Sequence, residues 1–267
     1  MSIEGTEKYN SIEIAGADTD KPLNLARRLE VVHPFFPDMP CRLLDCGCGA
    51  GGYLEAFSSL PGIEAHGLEY EAEKVRLARF RNGVNTDQIL QGDIQSMPYQ
   101  DGYFDAVLLN EVLEHVPDQY KGLSEVNRVL RPGGRLLVFS PNRYYPFETH
   151  GVHLKRNGKR LPHYVPFIPW IPLSLGRAVF SYPARNYWPG ELSALLQHQG
   201  FRVLHRDYLW QTFENISGAQ PRWMKRLSDV LRKTSFYLEQ VPLIRCMGLS
   251  QFLALEKPPE QSPQKED

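Results

Sequence analysis

The 267-residue sequence has no apolar run approaching the roughly 20 residues that a membrane-spanning helix needs. It has no excess of either charge: 30 Lys and Arg stand against 31 Asp and Glu, a net charge of −1. A global field that would draw nucleic acid or an anionic surface to the whole chain is therefore excluded. Cysteine is scarce, at positions 41, 46, 48 and 246 only, too few for a disulfide framework in a chain this long. Cys46 and Cys48 could be half of a metal site, but a second half is missing, and small residues packed in a tight turn is the better reading. The first residues lack a basic segment followed by an apolar one, so no signal peptide is read and a cytoplasmic location is expected. No internal repeat is visible.

What is present is an alternation of short apolar runs and helical segments from Arg42 onward, the pattern of a parallel α/β sheet with crossover helices. Strands are expected at "RLLDCG", "IEAHGLEY", "QILQGD", "FDAVLLN", "GRLLVFS", "FRVLHRDYLW" and "SQFLALEK". Helices are expected near 51–60, 71–82, 119–131, 189–199 and 221–238. Residues 1–20 and the tail 258–267 are polar and aperiodic and are expected to be flexible, which leaves 21–257 as a single domain. Between the fifth strand and the helix near 189, residues 143–187 are rich in proline and in Phe, Tyr, Trp and His. Long aromatic loops in compact domains are usually functional, so this segment is expected to be a lid or substrate-recognition insertion.

"LLDCGCGAGG" contains Gly47, Gly49 and Gly52 in a G-x-G-x-x-G spacing between a strand and a helix. Such a turn lets the backbone approach a nucleotide closely, but alone it does not separate dinucleotide from adenosylmethionine sites. Glu69, closing the second strand, is placed to receive two ribose hydroxyls in either case. Asp45 would crowd a pyrophosphate with negative charge, whereas it suits the ammonium of an amino-acid group. Asp93 in "QGDIQSMP" can accept from an adenine amino group; the alternative reading is a helix cap.

With these residues together, the chain resembles the class I S-adenosylmethionine-dependent methyltransferases: "LLDCGCGAGG", "GLEY", "GDIQSMPYQDGYFDAVLLNEVLEHV" and "LRPGGRLLVFSPN" follow that family's motifs in order. The resemblance implies a Rossmann-like seven-stranded sheet with helices on both faces and the last strand inserted antiparallel. It implies Asp45, Gly47, Cys48 and Gly49 around the methionine part of the donor, Glu69 and Tyr70 at the ribose, Asp93 and Ile94 at the adenine, and Asn110 beside the transferred methyl.

"NEVLEHVPD" puts Glu111, Glu114 and His115 at i, i+3 and i+4, which on a helical turn would share one side. The pattern resembles the E-x-x-E-H turn of ubiquinone-biosynthesis O-methyltransferases and small-RNA 2′-O-methyltransferases. There the implied role is a divalent ion, Mn, Mg, Fe or Zn, that lowers the pKa of one of two neighbouring oxygens. A further ligand is then expected beyond the fifth strand, with His150 favoured over His153. Without an ion, His115, His150 and His153 are the candidate general bases. The expected acceptor is a small-molecule, glycan or lipid-linked vicinal diol or catechol. The near-neutral charge argues against nucleic acid as partner. The basic and apolar segment 163–180 is a candidate for peripheral membrane contact.

Overall fold

The computed structural model describes residues 22–81, 85–162, 165–212 and 228–259. The expectations for 1–20, for most of the tail and for 221–227 fall outside these residues. The chain enters through a helix, α1 (Pro22–Val32), and runs on to β1 (Cys41–Cys46), α2 (Gly52–Ser58), β2 (Ile63–Glu69), α3 (Ala72–Ala78) and β3 (Ile89–Gln91). Next come β4 (Phe104–Asn110), α4 (Gln119–Val129) and β5 (Leu130–Pro141). A two-stranded ribbon, β6 (His153–Leu154) with β7 (Phe180–Ser181), encloses α5 (Leu173–Val179). The domain closes with α6 (Pro189–His198), β8 (Arg202–Leu209), a helix at Ser228–Gln240 and β9 (Ser250–Glu256).

Seven strands form one sheet in the order β3-β2-β1-β4-β5-β9-β8. β1 through β5 are parallel, whereas β9 lies antiparallel between β5 and β8. This is the Rossmann-like seven-stranded sheet that the resemblance implies, with both faces covered. Successive side chains of a strand point to opposite faces. Leu44, Val107, Leu109, Leu136 and Val138 therefore pack with α4 on one side, while Leu43, Ala106, Leu108 and Phe139 pack with α2 on the other. Burying each such side chain is worth about 1.5–3 kcal/mol, which explains why β1 and β4 read as near-continuous apolar runs.

The strand order reverses between β1 and β4. In an open parallel sheet, the crevice at the carboxyl ends of the strands beside that reversal is the usual ligand site. The ends of β1, β2, β3 and β4 carry Cys46, Glu69, Gln91 and Asn110, so the residues singled out from the sequence cluster there.

The structure departs from expectation in three places. α1 has no counterpart among the expected helices, because a fully buried Arg28 interrupts its apolar stripe. α3 stops at Ala78 rather than near 82, since Phe80 and Arg81 donate to Leu77 and Ala78 in tighter three-residue turns. The segment 143–187 is not one irregular loop but contains the ribbon and α5. Its two ends are tied together: Arg143 N–H donates to Tyr187 O at 3.0 Å and Tyr187 N–H to Pro141 O at 3.3 Å.

Candidate active site

After β1 the backbone turns through Gly47 at φ 82° and Gly49 at φ 53°, left-handed values that favour glycine. A Cβ at Gly47 would lie 2.5 Å from Val112 Cγ2, whereas one at Gly49 would meet nothing within 4 Å. The loop is clasped by Glu69, whose Oε2 accepts from Gly49 N–H at 2.8 Å while Oε1 accepts from Glu71 N–H at 2.9 Å. Asp93 is held by its own turn, Oδ1 accepting from Gln95 N–H at 2.8 Å. Asp45, Gly47, Cys48, Gly49, Glu69, Tyr70, Asp93, Ile94 and Asn110 all line a single cavity of about 360 Å³. Cys46 and Cys48 are buried thiols whose pKa values burial pushes up, and Cys48 packs beneath Gly67 rather than toward an ion.

Behind Asn110 and Glu111 in the wall of that cavity stands a residue that sequence reading missed. Arg28, 1% exposed, donates to Asn110 Oδ1 and, at 2.8 Å, to Glu111 Oε1, and its guanidinium lies 4.5 Å over the Phe139 ring. Ser250 Oγ donates to the same Glu111 oxygen at 2.7 Å. Burial, the largest single effect, would raise the Glu111 carboxyl, but Arg28, Ser250 and His150 together hold it below the usual carboxylate range. No local pattern in 22–32 distinguishes Arg28 from Arg27, so no sequence signal pointed to it.

The E-x-x-E-H turn is not the helical turn expected. Glu111 stands at φ 56°, its N–H donating to Phe139 O at 3.1 Å, and only Leu113–His115 form a short 3-10 turn. Glu111 thus pairs with Arg28, while Glu114 and His115 lie beside His150. His150 meets them from the insertion: its Nε2 is 3.9 Å from Glu114 Oε1, and His115 Nε2 is 4.0 Å from the same oxygen. Candidate ligand atoms of Glu114, His115 and His150 all lie within 4.8 Å of one another, and among the described residues this is the only group that could hold an ion. Glu111 is not in it. Nor is His153, which sits in the ribbon opposite Ser181.

Both Glu114 oxygens are buried without a hydrogen-bond partner among the described residues. Burial, then the nearby Glu111 charge, raises its pKa well above the usual range. Burial and His150 lower His115 to about 3, so its imidazole is neutral at pH 7. His150 shares a 3.0 Å hydrogen bond between Nδ1 and Thr149 Oγ1, leaving Nε2 toward Glu114. Glu148, pushed up to about 7 by burial, accepts from His150 N–H at 3.1 Å and from Asn186 Nδ2 at 2.8 Å, which fixes the backbone behind the imidazole.

His115 also borders a second cavity of about 780 Å³. Glu114, Asp118, Gln119, Lys155, Arg177 and Phe180 are among its walls, so most of one side is supplied by the insertion. The two cavities share His115 and Val116. A small molecule in the second could therefore reach a group held in the first past this one imidazole.

Comparison with known proteins fits this geometry. Residues 44–138 match the family described as "Methyltransferase domain". A sterol 24-C-methyltransferase of Gibberella zeae is 35% identical over 200 residues, covering 71% of this chain and 48% of that protein. A ubiquinone biosynthesis O-methyltransferase of Xanthomonas axonopodis is 35% identical over 46% of this chain and 53% of that protein. Norajmaline N-methyltransferase of Rauvolfia serpentina is 36% identical over 38% of this chain and 36% of that protein. The chain spans about half or less of the length of these curated relatives. Among solved structures, a Haloferax volcanii putative methyltransferase in complex with its Trm112 activator superposes with TM-score 0.56 at 21% identity, covering 92% of this chain and 98% of that one. The cyclase SpnF superposes with TM-score 0.54 at 21% identity, covering 88% and 81%. Fold and matched segment agree: residues 44–138 match a methyltransferase domain, and the seven-stranded sheet is the fold of the solved structures on which it superposes. The relatives carry names for transfer to nitrogen, oxygen and carbon alike.

Proposed function

We propose that the protein is an S-adenosylmethionine-dependent methyltransferase acting on a hydroxyl of a small-molecule, glycan or lipid-linked vicinal diol or catechol. The observation that carries this reading is the position of His115, bordering both the glycine-loop cavity and the cavity under the insertion, with Glu114 and His150 beside it. The cradle fits the donor: glycines at left-handed φ, a buried Asp45 for an ammonium, and a Glu69 carboxylate with lone pairs remaining for ribose hydroxyls. Bound there, S-adenosylmethionine would supply an electrophilic methyl group.

The chain's own task is then to orient the acceptor and remove its proton, because a hydroxyl ionises far above pH 7. Orientation alone accounts for much of the rate of such displacements. Glu114, His115 and His150 fit a divalent ion, since two orphaned carboxylate oxygens and two imidazoles form a mixed donor set suited to Mn²⁺, Fe²⁺ or Zn²⁺. Such an ion would lower the pKa of a hydroxyl placed on it. The second reading dispenses with the ion and makes His115 the base. Its low pKa disfavours this, as a base near 3 accepts a proton poorly at neutral pH. RNA as acceptor is disfavoured by the net charge of −1. A silent donor-binding protein is disfavoured by the adjoining second cavity and its unpartnered carboxylate.

The test is a screen of diol and catechol acceptors with labelled methyl donor, run in parallel with Mg²⁺, Mn²⁺ and EDTA. The expected result is metal-dependent transfer to oxygen that Glu114→Ala and His150→Ala lower about 100-fold while adenosylhomocysteine still binds. Full turnover by either variant contradicts the role given to this set.

A further inference from the structure

The insertion has a charge pattern unlike the rest of the chain. Between Glu148 and Glu191 there is no Asp or Glu, yet Lys155, Arg156, Lys159, Arg160, Arg177 and Arg185 all fall there. In a chain with 31 acidic residues, that is a segment of one sign. Lys155, Arg156, Lys159 and Arg177 are exposed and form no ion pair among the described residues. The same segment carries large apolar side chains that face solvent: Phe167 (52% exposed), Leu175 (65%) and Val179 (50%), with Trp170 beside Phe167 at a ring-centroid distance of 4.8 Å.

The geometry gathers these groups. Leu175 and Val179, at i and i+4, share the outer face of α5, while Gly176 is buried against Tyr182 on the inner face. Lys155 N–H donates to Val179 O at 2.9 Å, which brings the cationic end of β6 against the apolar end of α5. Phe167 stands at φ 65°, a costly conformation for an aromatic residue, and its ring is nonetheless directed outward rather than into the core. Scattered exposed apolar residues are ordinary; two exposed apolar pairs, Phe167 with Trp170 and Leu175 with Val179, in a segment with four unpaired cations and no acid are not. No helix among the described residues is long and apolar enough to cross a membrane, so any lipid contact is made from the surface.

We propose that this face of the insertion docks on an anionic lipid surface, with Phe167, Trp170, Leu175 and Val179 entering the headgroup boundary and Lys155, Arg156, Lys159 and Arg177 meeting lipid charge. Such a surface attracts basic segments through charge and apolar insertion together. Arg177 and Phe180 also line the cavity at His115, so the docked face adjoins its mouth. The proposal does not depend on the methyltransferase reading.

The experiment is flotation of the full chain with phosphatidylcholine vesicles, with and without phosphatidylglycerol, at low and high salt. Binding is expected only to the anionic vesicles and is expected to weaken with salt. Lys155→Ala with Arg177→Ala should lower the partition coefficient about 25-fold, from roughly fivefold per cation. Leu175→Ser with Val179→Ser, both surface changes, should lower it at least about tenfold at unchanged charge. Vesicle binding indifferent to the apolar pair overturns the proposal, as does retention on heparin without binding to anionic vesicles. Adenosylhomocysteine titrated in parallel keeps the tests apart: lost donor affinity with intact flotation strikes the methyltransferase reading alone.

Discussion

The half proposed to hold the donor, the strand ends and the glycine loop, is built from backbone geometry. The half proposed to take the acceptor, residues 143–187, is built from side chains carried on a short ribbon and helix. Gly47 cannot accept a Cβ without striking Val112 at 2.5 Å, and Val112 is held in the turn after β4. Gly176 in α5 would place a Cβ 2.4 Å from the Tyr182 hydroxyl, which is the far end of a side chain that can swing away. At these two positions, then, the first half has little room to yield and the second has more. That difference suits a fixed donor and a variable acceptor, consistent with relatives named for nitrogen, oxygen and carbon transfer.

The comparison is broken most forcefully at Arg28, which belongs to neither half. Arg28→Ala leaves Glu111 buried without its cation, a change worth about 3–5 kcal/mol. Urea unfolding should show a loss of that size, with Ser250 alone unable to compensate. Next, Gly47→Ala combines a left-handed backbone with a clash and should weaken adenosylhomocysteine binding about 100-fold, measured by calorimetry. Glu114→Ala and His150→Ala should reduce turnover by about 100-fold, the scale typical of lost ligands or proton-handling groups, with donor affinity changed less than about twofold. Smallest is Gly176→Ala: the helix gains up to about 1 kcal/mol of propensity, Tyr182 moves, and net stability should change by less than about 1 kcal/mol. A large loss there would mean the insertion is as rigid as the glycine loop.

The two halves also differed in how legible they were. The sheet could be read because β1, β4 and β5 are buried on both faces, which forces continuous apolar runs, and because glycines at left-handed φ have no substitute. All nine donor-side residues named from the sequence line one cavity for the same reason: they close strands whose ends converge. The E-x-x-E-H turn was harder. Spacing placed Glu111 with Glu114 and His115, but the partner that rotates Glu111 away is Arg28, 83 positions earlier. Long-range pairing leaves no local trace. His150 was favoured over His153 only slightly, and the ribbon register, which carries His153 off to Ser181, separates them.

The most direct test of the central claim is calorimetric titration of the intact chain with adenosylhomocysteine, alongside Glu69→Ala. Glu69 clasps Gly49 and is expected to meet the ribose, so its loss should remove both supports of the donor. The account expects one-to-one binding in the micromolar range for the native chain and a loss of about 100-fold for a folded Glu69→Ala. An absence of heat from the native chain at millimolar ligand, or equal affinity in the two proteins, would contradict it.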